Sequence, residues 1–542
     1  MTPLEPPETP GKAAPPPSRA AFHTAFLSSA LGTGLSRVFG ALRDIVIAFV
    51  LGAGVASDAF FVAFTIPNAF RRFVADEGLT GALIPAVAQA EAEADPAEAR
   101  RLVNTVFTML LVANGVLCIV GILAADWLVA AFAYAFLDSP EKYELTVQMT
   151  RWLMPILAMV SGVSFMEALL NHRGHYFTPK LAPGLIAAGI AGGALVGAAM
   201  LDQPAWGLVG GALVGGALHV AINIPVLLKR WGGLAVSFAF SSPRARGVAR
   251  ELSKVVAIGM FAQVNLLVLR QLAAFCGDGA VTRYWYANRV IDLAQGIIAV
   301  AIGSALLPGI SKAAANHDMS RLREELATAL RLAAFLLIPV AAVLLSFANP
   351  LAALLFRVGE YTWEDAYITG IAVIVLVPFM LAVAAINLLK KVFFAFNDRN
   401  PLLWVGAVGV LLTGALGLWW ASRWDIVGLA GALSASAVIQ LLAYVLLLQR
   451  RTPGGLGLGA LGSPFLKMTL AALPSAAILA LAAPLGQWPQ GPLSLLNWAV
   501  AVPALGLAAA AYLGASHLLG IEEQRQVMGR ITSRLRRGRS SG

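Results

Sequence analysis

Nine basic residues, Arg37, Arg43, Arg71, Arg72, Arg151, Arg270, Arg289, Arg331 and Lys467, fall inside runs that are otherwise apolar enough to cross a bilayer. A charge at the bilayer centre costs about 2.5 to 3.5 kcal/mol on insertion scales, so several in one chain persist only where they pair or bind something. Carboxylates lie nearby. Arg37 and Asp44, seven apart, share a helix face, while Arg72 with Asp76 and Arg289 with Asp292 have the spacing of helix neighbours. Asp58, Glu77 and Asn288 complete the polar clusters. Ion pairing or snorkelling accounts for Arg151, Arg331 and Lys467, which sit near span ends, and for Arg270 both readings stand. Arg37, Arg43, Arg71, Arg72 and Arg289 outnumber the acids they can pair with cleanly, and such an excess calls for an anion. A guanidinium holds phosphate oxygens through two hydrogen bonds and keeps its charge in a dry setting, so the ligand expected is a phosphate or pyrophosphate. Pro67 precedes Arg71 and Arg72 and should bend their span, turning the pair into a cavity.

These residues are carried by an all-α polytopic membrane protein. Of 542 residues, 58% are hydrophobic and 13% charged, against about a quarter charged in soluble domains. Stretches of about 20 apolar residues suffice to span a bilayer. They recur near 24–50, 58–88, 102–126, 146–170, 181–200, 206–228, 254–276, 284–311, 325–348, 366–389, 402–420, 426–448, 465–484 and 493–518. The expectation is fourteen transmembrane helices. Continuous rather than alternating apolar runs disfavour a β-barrel. With fourteen spans, 26 of the 39 lysines and arginines fall on the side of the termini and four on the other, which makes the termini cytoplasmic.

The sequence repeats itself. Residues 81–95 match 304–318, Thr178-Pro179 matches Asn400-Pro401, and Gly52-Ala53-Gly54 faces Gly277-Asp278-Gly279. The unit holds six helices, which predicts two parallel-repeat halves with a site between them and alternating access by rocking. The expected organisation is a disordered tail over 1–20, a six-helix half over 21–230, a flexible cytoplasmic linker over 231–253, a second half over 254–450, two extra helices over 451–520 and a basic cytoplasmic tail over 521–542. Arg37, Arg43 and Arg289 should face one central aqueous cavity between the halves.

Several function classes drop out. Cys118 and Cys276 lie in apolar runs and read as core residues. The six histidines have no carboxylate or cysteine at ligand spacing, so no metal or nucleophilic site is expected. Gly457, Gly459 and Gly462 spell a dinucleotide fingerprint but follow no strand. The arginines at 525–539 are read as the flank of a last membrane helix, with no nucleic-acid role.

The run SRVFGALRD at 36–44, then GAGVASDAFFVAFTIPNAFRR at 52–72, then YWYANRVIDLAQGIIAVAIGSALLPGISK at 284–312 resembles the MurJ (MviN) lipid II flippases of the multidrug/oligosaccharidyl-lipid/polysaccharide exporter superfamily. The resemblance implies export of an undecaprenyl-pyrophosphate-linked peptidoglycan precursor from the inner to the outer leaflet of the bacterial cytoplasmic membrane, by a transporter and not an enzyme. It carries the family's cavity arginines and acids onto Arg37, Arg43, Asp58, Arg71, Arg72 and Arg289, and gives the two extra helices the lipid tail. The chain has Asn288 where the family commonly has an acid and Asp292 where it has a glutamate, and Asp76 or Glu77 could answer the acid after the arginine pair. The expected substrate-binding set is Arg37, Arg43, Asp44, Asp58, Arg71, Arg72, Asp76, Glu77, Asn288, Arg289 and Asp292. Lipid II and membrane lipids are the expected partners of a monomer without a cofactor, driven by membrane potential or by an ion of unspecified identity. A flippase for another polyprenyl-pyrophosphate glycan predicts the same arginines, whereas a drug/cation antiporter should show acids dominating.

Overall fold

A computed structural model describes residues 19–74, 77–93, 95–303, 318–396, 400–451 and 455–525. Among them there is no strand. A first group of helices comprises α1 (Arg19–Leu51), α2 (Val55–Val74), α3 (Glu77–Ala92), α4 (Pro96–Leu123), α5 (Ala125–Phe132), α6 (Pro140–Leu153), α7 (Pro155–His172), α8 (Phe177–Leu181), α9 (Pro183–Met200) and α10 (Ala205–Trp231). A second comprises α11 (Pro243–Phe275), α12 (Ala280–Gly303), α13 (Met319–Phe356), α14 (Trp363–Ala395) and α15 (Asn400–Arg451), followed by α16 (Gly462–Ala482) and α17 (Leu495–Leu518). Nine helices among the described residues are long and apolar enough to cross a membrane. These nine are carried by helices other than α1, α2, α11 and α12, which hold most of the arginines singled out above.

Local chemistry sets the helix ends. Asp95 caps α4 by accepting from the Glu98 amide, with Pro96 at the first helical position. Thr362 and Asp365 form a reciprocal capping box on α14. One predicted span is interrupted, 146–170 dividing into α6 and α7 at Pro155, and in 58–88 the helix is described to Val74 and again from Glu77. The spans 402–420 and 426–448 are the two arms of α15, separated where Trp424 and Asp425 (φ 47°) leave helical geometry, and they pack back on each other, with Ser436 Oγ donating to the Gly409 carbonyl at 2.9 Å. In α13, Phe347 is non-helical three residues before Pro350, whose ring cannot follow a regular turn.

Packing relies on small residues. Along the α9–α10 seam, a Cβ on Gly193 would lie 2.1 Å from the Gly207 carbonyl oxygen, and one on Gly211 would lie 2.1 Å from that of Gly189. The two backbones therefore touch, as small residues permit in lipid. Outward faces stay apolar, as at Leu111, Val116, Ile119 and Leu123 of α4. The last two helices pack on α13, where the Tyr512 hydroxyl donates to the Phe335 carbonyl at 2.8 Å.

The segment between the two groups is shorter than the predicted linker, because Pro243 already opens α11. Its backbone is also held. The amides of Ala235 and Ser237 donate to Asn104 Oδ1 and Thr108 Oγ1 of α4 at 3.1 and 2.9 Å.

The two groups close on each other at the end where α1 finishes and α12 begins. The glycine turns aligned by the repeat meet there: a Cβ on Gly279 would fall 2.9 Å from the Ala53 carbonyl oxygen. The Glu360 amide donates to the Phe49 carbonyl at 3.1 Å. Asp58, fully buried, lies at the centre of this seam. Its Oδ2 accepts from Lys142 Nζ at 2.9 Å and the Gly279 amide at 2.8 Å, and its Oδ1 accepts from the Thr282 amide and hydroxyl at 2.9 and 2.7 Å. Asp58 thus satisfies the open N–H groups at the start of α12, where a negative charge is favoured. Removing one partner of a buried pair costs about 3 to 5 kcal/mol. Lys142→Met should therefore lower the thermal unfolding midpoint, and adding Asp58→Asn should restore part of the loss. A single variant that melts like the wild type would contradict this role.

Candidate functional site

A cavity of about 470 Å³ lies between the two groups, lined by α1, α2, α7, α9 and α10 from the first and by α11 and α12 from the second. Among the described residues, four arginines reach it, Arg43, Arg71, Arg270 and Arg289, and one acid, Glu167. The Glu167 carboxylate is already paired with Lys180 at 2.5 Å.

Asp44 organises the arginines. It is fully buried on α1. Its Oδ1 accepts from Arg43 Nε and Nη2 at 3.0 and 2.6 Å, while Arg289 Nε of α12 stands 3.0 Å from Oδ2. One carboxylate therefore holds two guanidiniums, one from each group, and the triad keeps a net charge of about +1. That surplus favours an anion, and Arg43 Nη1 takes no part in its pair with Asp44.

Glycines admit the crossing. A Cβ on Gly40 would stand 2.2 Å from Arg289 Nη2, and one on Gly296 would stand 2.2 Å from Arg37 Nη1. Each helix thus lays an arginine over a glycine of the other, and a side chain at either glycine would push that guanidinium aside. Trp285, one turn before Arg289, supplies a floor. It stacks on Phe61 with centroids 4.7 Å apart. The guanidinium carbons of Arg270 and Arg43 lie 4.9 and 5.9 Å from its ring centroid, within cation–π range.

Of the residues singled out in the sequence, Arg43, Arg71 and Arg289 line the cavity, and Asp44 lies directly behind them. Arg37 is not among the lining residues, but reaches across to α12 beside Gly296 and is exposed. Asp44 makes its ion pairs with Arg43 and Arg289, so the shared face with Arg37 does not become a direct pair. Asn288 donates to Asp292 at 3.2 Å, away from the lining. Asp58 belongs to the sealed seam. The side chains of Arg72 and Glu77, and Asp76 altogether, lie outside the described residues. Arg151 pairs with Asp126 at 2.8 Å and Arg331 approaches Glu523 at 3.5 Å, in keeping with the structural reading of both.

Sequence reasoning left Arg270 undecided and passed over Trp285, Glu167, Asn68 and His219, all of which line the cavity. Trp285 was within reach, because it stands four residues before Arg289 on the same helix face. A lone histidine in an apolar helix carries no such signal.

The model of the family described as lipid II flippase MurJ matches residues 47–496. The lipid II flippase MurJ of Burkholderia cenocepacia is 31% identical over 395 residues, covering 71% of this chain and 75% of that protein. The probable lipid II flippase MurJ of Bdellovibrio bacteriovorus is 29% identical over 511 residues, covering 92% and 95%. A solved lipid II flippase MurJ in an inward closed conformation superposes with a TM-score of 0.74 at 18% identity, covering 91% of this chain and 98% of that one. An inward-facing multidrug resistance transporter of the MATE family and MOP superfamily gives 0.61 at 16% identity, covering 78% and 97%. With the family model spanning most of the chain, and with relatives of the same family along nearly its full length, this protein belongs to the lipid II flippase MurJ family.

Proposed function

We propose that the chain moves lipid II, an undecaprenyl-pyrophosphate-linked peptidoglycan precursor, from the inner to the outer leaflet of the bacterial cytoplasmic membrane. The observation that carries the reading is the Asp44 triad, in which Arg43 and Arg289 are presented from both groups into one cavity. A pyrophosphate offers several oxygens and negative charge to match a surplus of guanidinium forks. It would bridge the halves and gather them around itself, a differential contact through which a ligand can shift a conformational equilibrium.

Fourteen membrane crossings, with both termini cytoplasmic, suit the distribution of lysine and arginine. In that orientation the seam around Asp58 is periplasmic, and the headgroup enters the cavity from the cytoplasmic side. Rocking of residues 24–230 against 254–450 then breaks the seam and exposes the site outward. The transported lipid is released unchanged, so no catalytic residue is called for. Membrane potential or an ion supplies the drive. The protein works as a monomer, with α16 and α17 as an apolar wall for the prenyl chain.

In cells depleted of their own flippase, Arg43→Ala or Arg289→Ala should abolish complementation and cause lipid II to accumulate. Lysine at either position should rescue poorly, because the fork geometry is lost. Accumulation of a different polyprenyl-pyrophosphate glycan would redirect the substrate assignment. Full growth with both alanines would overturn it.

Cysteines at Phe49 and Glu360, whose backbones are hydrogen-bonded across the seam, should stop transport when oxidised and release it on reduction, in a background lacking Cys118 and Cys276. Undiminished transport with complete crosslinking would rule out rocking.

The stretch 468–519 contains no Asp, Glu, Lys or Arg, so it offers a prenyl chain an apolar path and a pyrophosphate almost nothing. Photo-crosslinkers on the prenyl chain should label it, and bulky substitutions there should weaken binding of a long-chain lipid more than a short-chain analogue. Equal loss for both would leave these helices a structural role only.

A further inference from the structure

The hydroxyls and amide on the α2–α7 wall of the cavity are spent locally. Thr65 donates to the Phe61 carbonyl, Asn68 to that of Phe64 and Ser164 to that of Val160, each one turn back on its own helix. Glu167 is occupied by Lys180. His219 is different. It lies in the middle of α10, lines the same cavity and is only 3% exposed, yet neither Nδ1 nor Nε2 has a hydrogen-bond partner. An imidazole always carries at least one N–H donor, and leaving it buried and unmade has a desolvation cost that an apolar residue of similar size would avoid. The ring is held in register by the helix itself, and the Asn223 amide donates to the His219 carbonyl at 2.9 Å. Arg71 on α2 is close enough to act on the ring electrostatically, and α9, which packs along α10, carries no charge.

A buried donor without a partner, beside a guanidinium and facing a cavity, is suited to an oxyanion. We propose that His219 is a further substrate-binding residue, whose ring N–H donates to a phosphate oxygen of the same pyrophosphate that the arginines hold. This rests on the reading of the cavity as a pyrophosphate site. It would give the headgroup a contact on α10, deep in the first half, beyond the α1–α12 crossing, and so help set which half carries the phosphates while the seam opens.

The test measures binding to the full-length protein in nanodiscs with three probes: farnesyl pyrophosphate, inorganic pyrophosphate and farnesol. The variants are His219→Ala, His219→Gln, His219→Phe and Arg289→Ala. His219→Ala should weaken both pyrophosphate probes on the order of tenfold, as expected for a lost hydrogen bond to a charged group, and leave farnesol unchanged. Glutamine, which keeps an N–H donor, should recover part of the loss. Phenylalanine should bind pyrophosphate as poorly as alanine while melting no lower than the wild type, which separates recognition from folding. Wild-type affinity in His219→Ala and His219→Phe, alongside loss in Arg289→Ala, would overturn the proposal and leave the cavity reading standing. Loss for farnesyl pyrophosphate but not inorganic pyrophosphate would also overturn it, since the contact would then be to the chain. Wild-type affinity in Arg289→Ala would instead bring down the cavity reading itself.

Discussion

The structure turns on a shortage of carboxylate. Arg43 and Arg289 come from helices in different halves and share Asp44, one taking each oxygen. With a second acid beside them the cluster would be neutral, and the site would be a static ion-pair bridge. With one, the bridge holds the halves in register while the cavity keeps a positive surplus that only an anion removes. The glycines at 40 and 296 fit this arrangement, because a side chain at either would displace the guanidinium now lying over it. Trp285 follows as well, since its ring steadies two guanidiniums by their faces.

The remainder of the fold divides into parts that hold shape and a part that can let go. The α9–α10 seam, with backbones in direct contact, makes the first half stiff, and the docked segment over 233–240 extends that stiffness toward α11. The seam around Asp58 is different in kind. It includes the Lys142 ammonium between the Asp58 and Asp278 carboxylates and the buried amides of a helix start, polar contacts that water can replace. Rigid halves joined through polar contacts of this sort suit a two-state rocking motion better than a continuous deformation.

Much of this was legible in the sequence. The apolar runs located the helices, and the repeat that aligned Gly52-Ala53-Gly54 with Gly277-Asp278-Gly279 identified two turns that do meet in space. Arg43, Arg71 and Arg289 stood out because charge in an apolar run is costly. What could not be read was partnership. Helix spacing suggested that Asp44 served Arg37 and that Asp292 served Arg289, whereas Asp44 takes Arg289 across the cavity, a contact that depends on how two distant helices cross. Asp58 was expected among the substrate-binding residues as a charge in an apolar run, but it sits in the seam, where its partners Lys142 and the start of α12 lie far away in the chain. The spans 402–420 and 426–448 stand as two arms, but the sharp turn between them uses Asp425 at positive φ, which no periodicity signals.

The central claim is that one pyrophosphate is held at once by arginines of both halves. It is tested most directly by phosphorus–nitrogen distance measurements on arginine-labelled protein in lipid, loaded with a short-chain polyprenyl pyrophosphate. The account predicts that the guanidinium nitrogens of both Arg43 and Arg289 lie within about 4 Å of a phosphorus, the reach of one N–H···O–P link, and that Arg289→Ala removes its own signal and weakens that of Arg43. Phosphorus contacts confined to one half, or to basic residues outside the cavity, would contradict it.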